Sequence, residues 1–106
     1  MAIRGGMSEL LKQVNRIQAK LEKLKEEMED REVEAASGGG MVTAKANGNG
    51  ELKSISIEDD LLKPEEKSML EDLVVAAVNA VLKKAGEMAE EEQTKITGGL
   101  KLPGMF

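Results

Sequence analysis

The sequence contains no cysteine, histidine, tryptophan or tyrosine, and one phenylalanine, Phe106. Each absence closes a class of function. Without cysteine there is no disulfide framework. Without cysteine and histidine the usual zinc sites cannot be assembled. Cys–His and Ser–His–Asp nucleophilic catalysis and imidazole acid–base chemistry are equally excluded. A single aromatic ring cannot form a platform for stacking single-stranded bases. The longest uninterrupted apolar run, Leu73 to Val78, is far short of the ~20 residues of a membrane span. The first six residues, Met1 to Gly6, carry no apolar signal core, so a chain that stays in the reducing cytoplasm is expected.

What remains is a chain of 106 residues, 41% hydrophobic, with 15 basic and 20 acidic residues and a net charge of -5. That hydrophobic content is too high for a disordered chain, and the length predicts one domain over 1–106. The core must be built from Leu, Ile, Val, Met and Ala. A chain this small buries only about 60–65% of its unfolded surface, so a partner is expected.

The first segment is helical in pattern. Met7, Leu10, Val14, Ile17, Leu21, Leu24 and Met28 recur at alternating steps of three and four, the spacing of a heptad seam, with Leu11 beside it. Ser8 stands as a candidate N-cap, and no Gly, Pro or Thr interrupts the run that follows. A helix is predicted over 8–31, roughly 35 Å long at ~1.5 Å per residue. Full burial of the seven seam positions would contribute about 10–20 kcal/mol gross. The seam could pack on its own domain or meet a second copy. Its length relative to so small a chain favours the second copy, a homodimer.

The period then changes to two. Val33 and Ala35, then Val42, Ala44 and Ala46, then Ile55 and Ile57 alternate with polar or small residues. The Asn47-Gly48-Asn49-Gly50 run between the last two groups is a strong turn signal. Three short antiparallel strands are predicted at about 32–37, 41–46 and 51–57, with one apolar face to cover. Pro64, Glu65 and Glu66 suit a helix start, and the second helix is predicted over 64–94. Leu70, Leu73, Val74, Ala77, Val81, Ala85 and Met88 mark its main face. Val75, Val78 and Leu82 widen the apolar arc, which predicts cover on two sides. Asn79, near that broad face, needs either a buried partner or an edge position. Gly98 is a natural stop, followed by a tail over 97–106 in which Leu100, Leu102, Met105 and Phe106 are apolar. The tail either docks on the domain or recruits a partner. The order α-β-β-β-α predicts a two-layer α+β fold, with a three-stranded antiparallel sheet and a long projecting N-terminal helix.

Charge is segregated. In residues 1–25, Arg4, Lys12, Arg16, Lys20, Lys23 and Lys25 face only Glu9 and Glu22, a balance of +4. Residues 26–37 carry -5 and residues 58–96 carry -6. Lys12, Arg16 and Lys20 are spaced by four and share one helix face, with Lys23 near the same stripe. Such a stripe fits a phosphate-contacting surface and equally fits the solvated back of any amphipathic helix. No constellation points to catalysis. Ser37-Gly38-Gly39-Gly40 lacks both GxGxxG spacing and a P-loop Lys, and it precedes a strand. It therefore reads as an inter-strand connection. Glu58, Asp59 and Asp60 lack cation-loop spacing. Glu65/Glu66 and Glu90-Glu91-Glu92 sit on solvated helix ends with no cleft. No enzyme activity, metal, cofactor or small-molecule substrate is expected.

Several stretches together resemble the YbaB/EbfC family of small bacterial nucleoid-associated proteins. They are the Met7–Met28 helix; Val33-Glu34-Ala35-Ala36-Ser37-Gly38-Gly39-Gly40-Met41-Val42; Ile57 through Leu62; Met69-Leu70-Glu71-Asp72-Leu73 through Asn79-Ala80; and Thr97-Gly98-Gly99-Leu100-Lys101-Leu102-Pro103-Gly104-Met105-Phe106. The resemblance spans nearly the whole chain. It implies an α-β-β-β-α subunit, a homodimer with projecting long helices, double-stranded DNA as partner, a nucleoid location and no catalysis. Ala80, Gly86 and Glu58-Asp59-Asp60 depart from the family's usual residues. Because the family's DNA contacts follow no sharp motif, the resemblance carries onto the basic residues of the first helix, Lys12, Arg16, Lys20, Lys23 and Lys25, with Arg4 from the N-terminal arm. The competing reading is a protein-interaction module or adaptor with incidental DNA affinity.

Overall fold

In the computed structural model of the chain, residues 2–98 are described, with side chains from Gly6 onward. The fold is the expected α+β arrangement. Helix α1 (Ala2–Asp30) leads into strands β1 (Glu32–Ser37), β2 (Val42–Asn47) and β3 (Leu52–Ile57), and helix α2 (Lys67–Thr97) closes the order. The strands form one antiparallel sheet in the order β1-β2-β3. The register sets Val33 opposite Ala46, Ala35 opposite Ala44, and Val42 opposite Ile57. Lys45 pairs with Ser54 while Ala46 pairs with Leu52, so one residue of β3 is bulged out.

Side-chain alternation decides which face is covered. Val42, Ala44 and Ala46 point to one side of β2 and are fully buried beneath Ala77, Val81 and Ala85 of α2. Four of these six are alanines, so helix and sheet approach closely. Leu61, from a single 3₁₀ turn after β3, is also fully buried and adds bulk to the core. Ser37-Gly38-Gly39-Gly40 is a tight β1–β2 connection. Gly38 has φ +59, and a Cβ there would lie 2.9 Å from Leu73 Cδ1, while the Ser37 hydroxyl donates to the Leu73 carbonyl at 2.6 Å. The positive φ favours glycine there, and any added side chain would also have to displace the Leu73 methyls.

Element ends differ from the sequence reading. The N-terminal helix begins at Ala2, not at Ser8, so Ser8 lies inside it and caps nothing. Gly5 and Gly6 raise the helix's cost by about 1 kcal/mol each, but unlike proline they do not block it. β2 begins at Val42 because Met41 closes the glycine turn, its N–H on the Gly38 carbonyl. It runs on to Asn47, which pairs with Glu32, and β3 begins at Leu52. Pro64–Glu66 forms a 3₁₀ turn before α2, which runs three residues further than expected, to Thr97. Gly98 ends it at φ 65 with its N–H on the Thr94 carbonyl, a left-handed cap. Asn79 takes the edge alternative and is exposed.

α1 ends at Asp30, with the Arg31 N–H turned back onto the Met28 carbonyl at 3.2 Å. The β2–β3 turn supplies the cap. Gly48 N–H lies 2.9 Å from both the Met28 and the Arg31 carbonyls, Asn47 Nδ2 donates to Glu29 at 3.3 Å, and Asn49 Nδ2 donates to Lys25 at 2.9 Å. The carbonyls that a helix end leaves unpaired are satisfied from across the fold. From this anchor α1 leaves the sheet, touching it chiefly at β2, and packs on α2. The molecule is 76 × 20 × 17 Å with a radius of gyration of 20.1 Å. A compact domain of this size would have a radius near 13 Å. That length requires α1 to run outward, antiparallel to the part of α2 that overhangs the sheet.

Candidate nucleic-acid interface

The seam of α1 is covered progressively. Met28 and Leu24 are buried, Leu21, Ile17 and Val14 are half-buried, and Leu10 and Met7 are 58% and 57% exposed. The inner part of the seam is therefore core and its outer end is open. Between the two helices lies a recess of about 700 Å³ lined by Leu21, Leu24, Met28, Leu82, Gly86 and Ala89 among others. Its polar lining is Gln18, Glu22, Lys25, Asn49 and Gln93.

The basic residues occupy the outer flank of the same helix. Lys12, Arg16, Lys20 and Lys23 are exposed. At 100° per residue they share one side, turned away from the covered seam. Lys12 lies 3.9 Å from Glu9, a solvated i,i+3 pair; Arg16, Lys20 and Lys23 make no ion pair among the described residues. Lys25 is set apart on the other flank, in a shallow recess with Glu22, Glu26, Glu29 and Glu51. The side chain of Arg4 lies outside the described residues, as does the tail from Gly99 to Phe106.

A second surface lies on the flank of α2 for which the apolar arc of Val75, Val78 and Leu82 predicts a second cover. Lys84 Nζ donates to the Glu34 carbonyl at 2.9 Å, and the Leu73 carbonyl accepts from Ser37. That flank of α2 therefore faces β1, and by helical spacing Val75, Val78 and Leu82 face the β3 side. There α2 is too narrow to cover the third strand. Leu52, Ile55, Val75 and Leu82 are left exposed, Val75 by 59%. Within one chain the second cover expected for α2 is thus only partly present: α1 takes the overhanging half, and the β3 flank stays open. The signal in the sequence was the apolar arc of Val75, Val78 and Leu82, which three short strands could not cover.

Where the two helices meet the sheet, Glu92 binds Lys95 at 3.0 Å and lies 3.7 Å from Arg31. The Lys95 hydrogen bond, helped by the charges of Lys95 and Arg31, holds the Glu92 carboxyl below the usual glutamate range. Among the described residues, no group of three or more Asp or Glu side chains is placed to hold a metal ion, and no helix is long and apolar enough to cross a membrane.

The described residues form a two-layer α+β body carrying a helical arm with a basic flank. The YbaB/EbfC DNA-binding family model matches residues 4–100. A nucleoid-associated protein of Pelotomaculum thermopropionicum is 46% identical over 102 residues, covering 96% of this chain and 97% of its own. One from Clostridium novyi is 47% identical over 104 residues, covering 96% and 91%. The crystal structure of an uncharacterized protein from Helicobacter pylori superposes with a TM-score of 0.77 at 30% identity, covering 86% of this chain and 96% of that one. The chain belongs to the YbaB/EbfC DNA-binding family.

Proposed function

We propose that this protein binds double-stranded DNA as a homodimer at the nucleoid, gripping phosphates with the basic flanks of its two α1 arms. The observation that carries the reading is the charge of the arm. A chain with net charge -5 concentrates exposed Lys12, Arg16, Lys20 and Lys23 on one side of its most protruding helix. The body repels DNA at long range while the arm attracts it, so approach is oriented arm-first. Flexible Lys and Arg side chains on a smooth helix contact phosphates and read few base edges. Lys25, among carboxylates, contributes less, and Arg4 extends the basic character toward the tip. A nucleoid location is supported by the names of the relatives, which are called nucleoid-associated proteins.

The dimer draws its support from the β3 flank. Leu52, Ile55 and Val75 are exposed apolar side chains on the sheet-and-α2 body, not on the arm's outer flank. Pairing two copies there buries apolar area worth about 25 cal/mol per Å² and leaves both arms projecting. A fluorescence anisotropy titration on duplex DNA at 50 and 200 mM salt, with sedimentation mass in parallel, tests both parts. Binding should weaken steeply with salt and the mass should be that of two chains. Salt-insensitive affinity would remove the phosphate grip, and a single-chain mass at micromolar concentration would remove the dimer.

A further inference from the structure

The β2–β3 turn repeats one dipeptide, Asn47-Gly48 and then Asn49-Gly50. Asparagine is chemically labile, most of all before glycine, where no side chain shields the backbone nitrogen that can attack the carboxamide carbon. The two copies are in opposite states. The Asn47 carboxamide is fully buried with each of its polar atoms bonded twice, and the Gly48 N–H is held by two carbonyls at 2.9 Å. Cyclisation there would break all of these bonds at once. Asn49 and Gly50 are exposed. Among the described residues the Asn49 side chain makes one hydrogen bond, from Nδ2 to the Lys25 carbonyl at 2.9 Å. The Gly50 N–H rests on the Asn47 carbonyl at 3.1 Å, a single bond in a solvated turn, which local fluctuation opens at low cost. Asn15 and Asn79 lie inside helices and precede Arg16 and Ala80, whose nitrogens are tied into the helical ladder.

We propose that Asn49 is a self-modification site: in the folded protein it deamidates through Gly50 while Asn47 does not, and the product loosens the root of α1. The Gly50 nitrogen, its proton taken by hydroxide, attacks the Asn49 side-chain carbon. The Cγ–Nδ2 bond breaks and the nitrogen leaves as ammonia, which closes a cyclic succinimide. Water then opens the ring, adding its hydroxyl to one of the two carbonyl carbons and a proton to the departing nitrogen. Residue 49 becomes aspartyl where the backbone nitrogen leaves the side-chain carbon, and isoaspartyl where it leaves the backbone carbon. Water is consumed, ammonia is released, and nothing is oxidised or reduced.

The surroundings make the change consequential. Nδ2 is the donor to Lys25, and an ionised carboxylate has acceptors only, so a bond to the Lys25 carbonyl becomes a repulsion. The new charge joins Glu22, Glu26, Glu29 and Glu51 around a recess whose one basic residue is Lys25. It also stands near the C-terminal end of α1, where the helix dipole is already negative. The isoaspartyl form adds a carbon to the backbone of a turn that must place Asn47 on the Glu29 carbonyl and Gly48 on the Met28 and Arg31 carbonyls. Each change weakens the hold of the turn on the arm.

Trypsin cuts after Lys45 and Lys53, so the peptide from Ala46 to Lys53 carries both asparagines, and its fragment ions separate them by mass spectrometry. The full folded chain, aged in warm, mildly alkaline buffer made with heavy-oxygen water, should gain labelled acid at position 49 and keep Asn47 as the amide. In urea, where the turn is unfolded, both positions should convert at similar rates. Conversion of Asn47 as fast as Asn49 in the folded chain, or of neither while the urea sample converts, would overturn the site. For the consequence, Asn49→Asp should speed amide hydrogen exchange across Leu24 to Met28 severalfold more than Asn49→Ala, which removes the bond without adding charge. That excess should shrink in high salt. Neither substitution touches the buried core of Val42, Ala77 and Val81, and unchanged circular dichroism spectra should verify that both variants fold. Equal exchange in the two folded variants would overturn the loosening. With DNA absent throughout, none of these outcomes depends on the DNA-binding reading.

Discussion

Every hydrogen-bonding position of the fully buried Asn47 carboxamide is engaged. Oδ1 accepts from the Asn49 and Glu51 N–H groups, both at 3.0 Å, and Nδ2 donates to Glu51 Oε1 at 2.8 Å and to the Glu29 carbonyl at 3.3 Å. One side chain thus builds the hairpin turn and ties it to the end of the arm. Asn47→Ala removes all four bonds and leaves buried groups unpaired, so a loss of about 2–4 kcal/mol is expected, read as a lower urea midpoint at unchanged m-value. Asn79→Ala, on an exposed helix face, should fall within about 0.5 kcal/mol of the parent. Equal losses at the two sites would contradict the assignment of Asn47 as the anchor. The turn itself was legible from Asn47-Gly48-Asn49-Gly50. The anchoring role was not, because the carbonyls it satisfies lie some twenty residues earlier and no periodicity connects the two.

At the scale of elements, period alone separated helices from strands: steps of three and four before Arg31, steps of two from Val33 to Ile57, and a broad helical arc after Pro64. The covered face was legible too, because a one-residue slip would turn Val42, Ala44 and Ala46 out of the core, whereas the bulge that pairs Ala46 with Leu52 left no such signal. Boundaries were less legible. Ser8 looked like a cap by residue type, yet nothing upstream forbade the helix from continuing. The extent of seam burial was illegible for a different reason. Met7 and Met28 occupy equivalent heptad positions, and only the place where α2 ends distinguishes an exposed residue from a buried one. The basic flank was visible as a stripe, but the separation of Lys25 from it depends on the acidic recess assembled beside the hairpin turn. The helix ends also carry a pH-dependent link. Glu92 titrates below its unfolded range, so its pairing with Lys95 and Arg31 stabilises the fold above that range and is lost as pH falls through the lowered value. Glu92→Gln should therefore lower the thermal midpoint slightly at pH 7, by an amount that shrinks as the pH falls through the lowered value. Because the pair is solvated, the difference should shrink in high salt. A larger effect of the substitution at pH 3 than at pH 7 would reverse the sign and exclude this origin.

At the scale of the whole molecule, the 76 Å length separates two surfaces that would otherwise compete. The apolar flank beside β3 sits on the body, and the basic flank lies on α1. Val75→Glu with Ile55→Glu places charges on the apolar flank without touching the buried core of Val42, Ala77 and Val81. The expected result is a single-chain sedimentation mass with an unchanged circular dichroism spectrum, and weaker DNA binding because one arm acts without its partner. A surviving two-chain mass would move the interface elsewhere, with the open end of the α1 seam as the next surface to test. Replacing Lys12, Arg16 and Lys20 by Gln should leave the mass unchanged and act on DNA alone. If each of the three contacts a phosphate in both subunits, six fewer counterions are released on binding. The slope of log affinity against log salt then becomes shallower by about 5. The weakening should be nearly equal on unrelated duplex sequences, since phosphate contacts carry no base information. A loss confined to one sequence would instead place these residues at base edges. An unchanged slope would mean that the arm projects from the body for some purpose other than holding DNA.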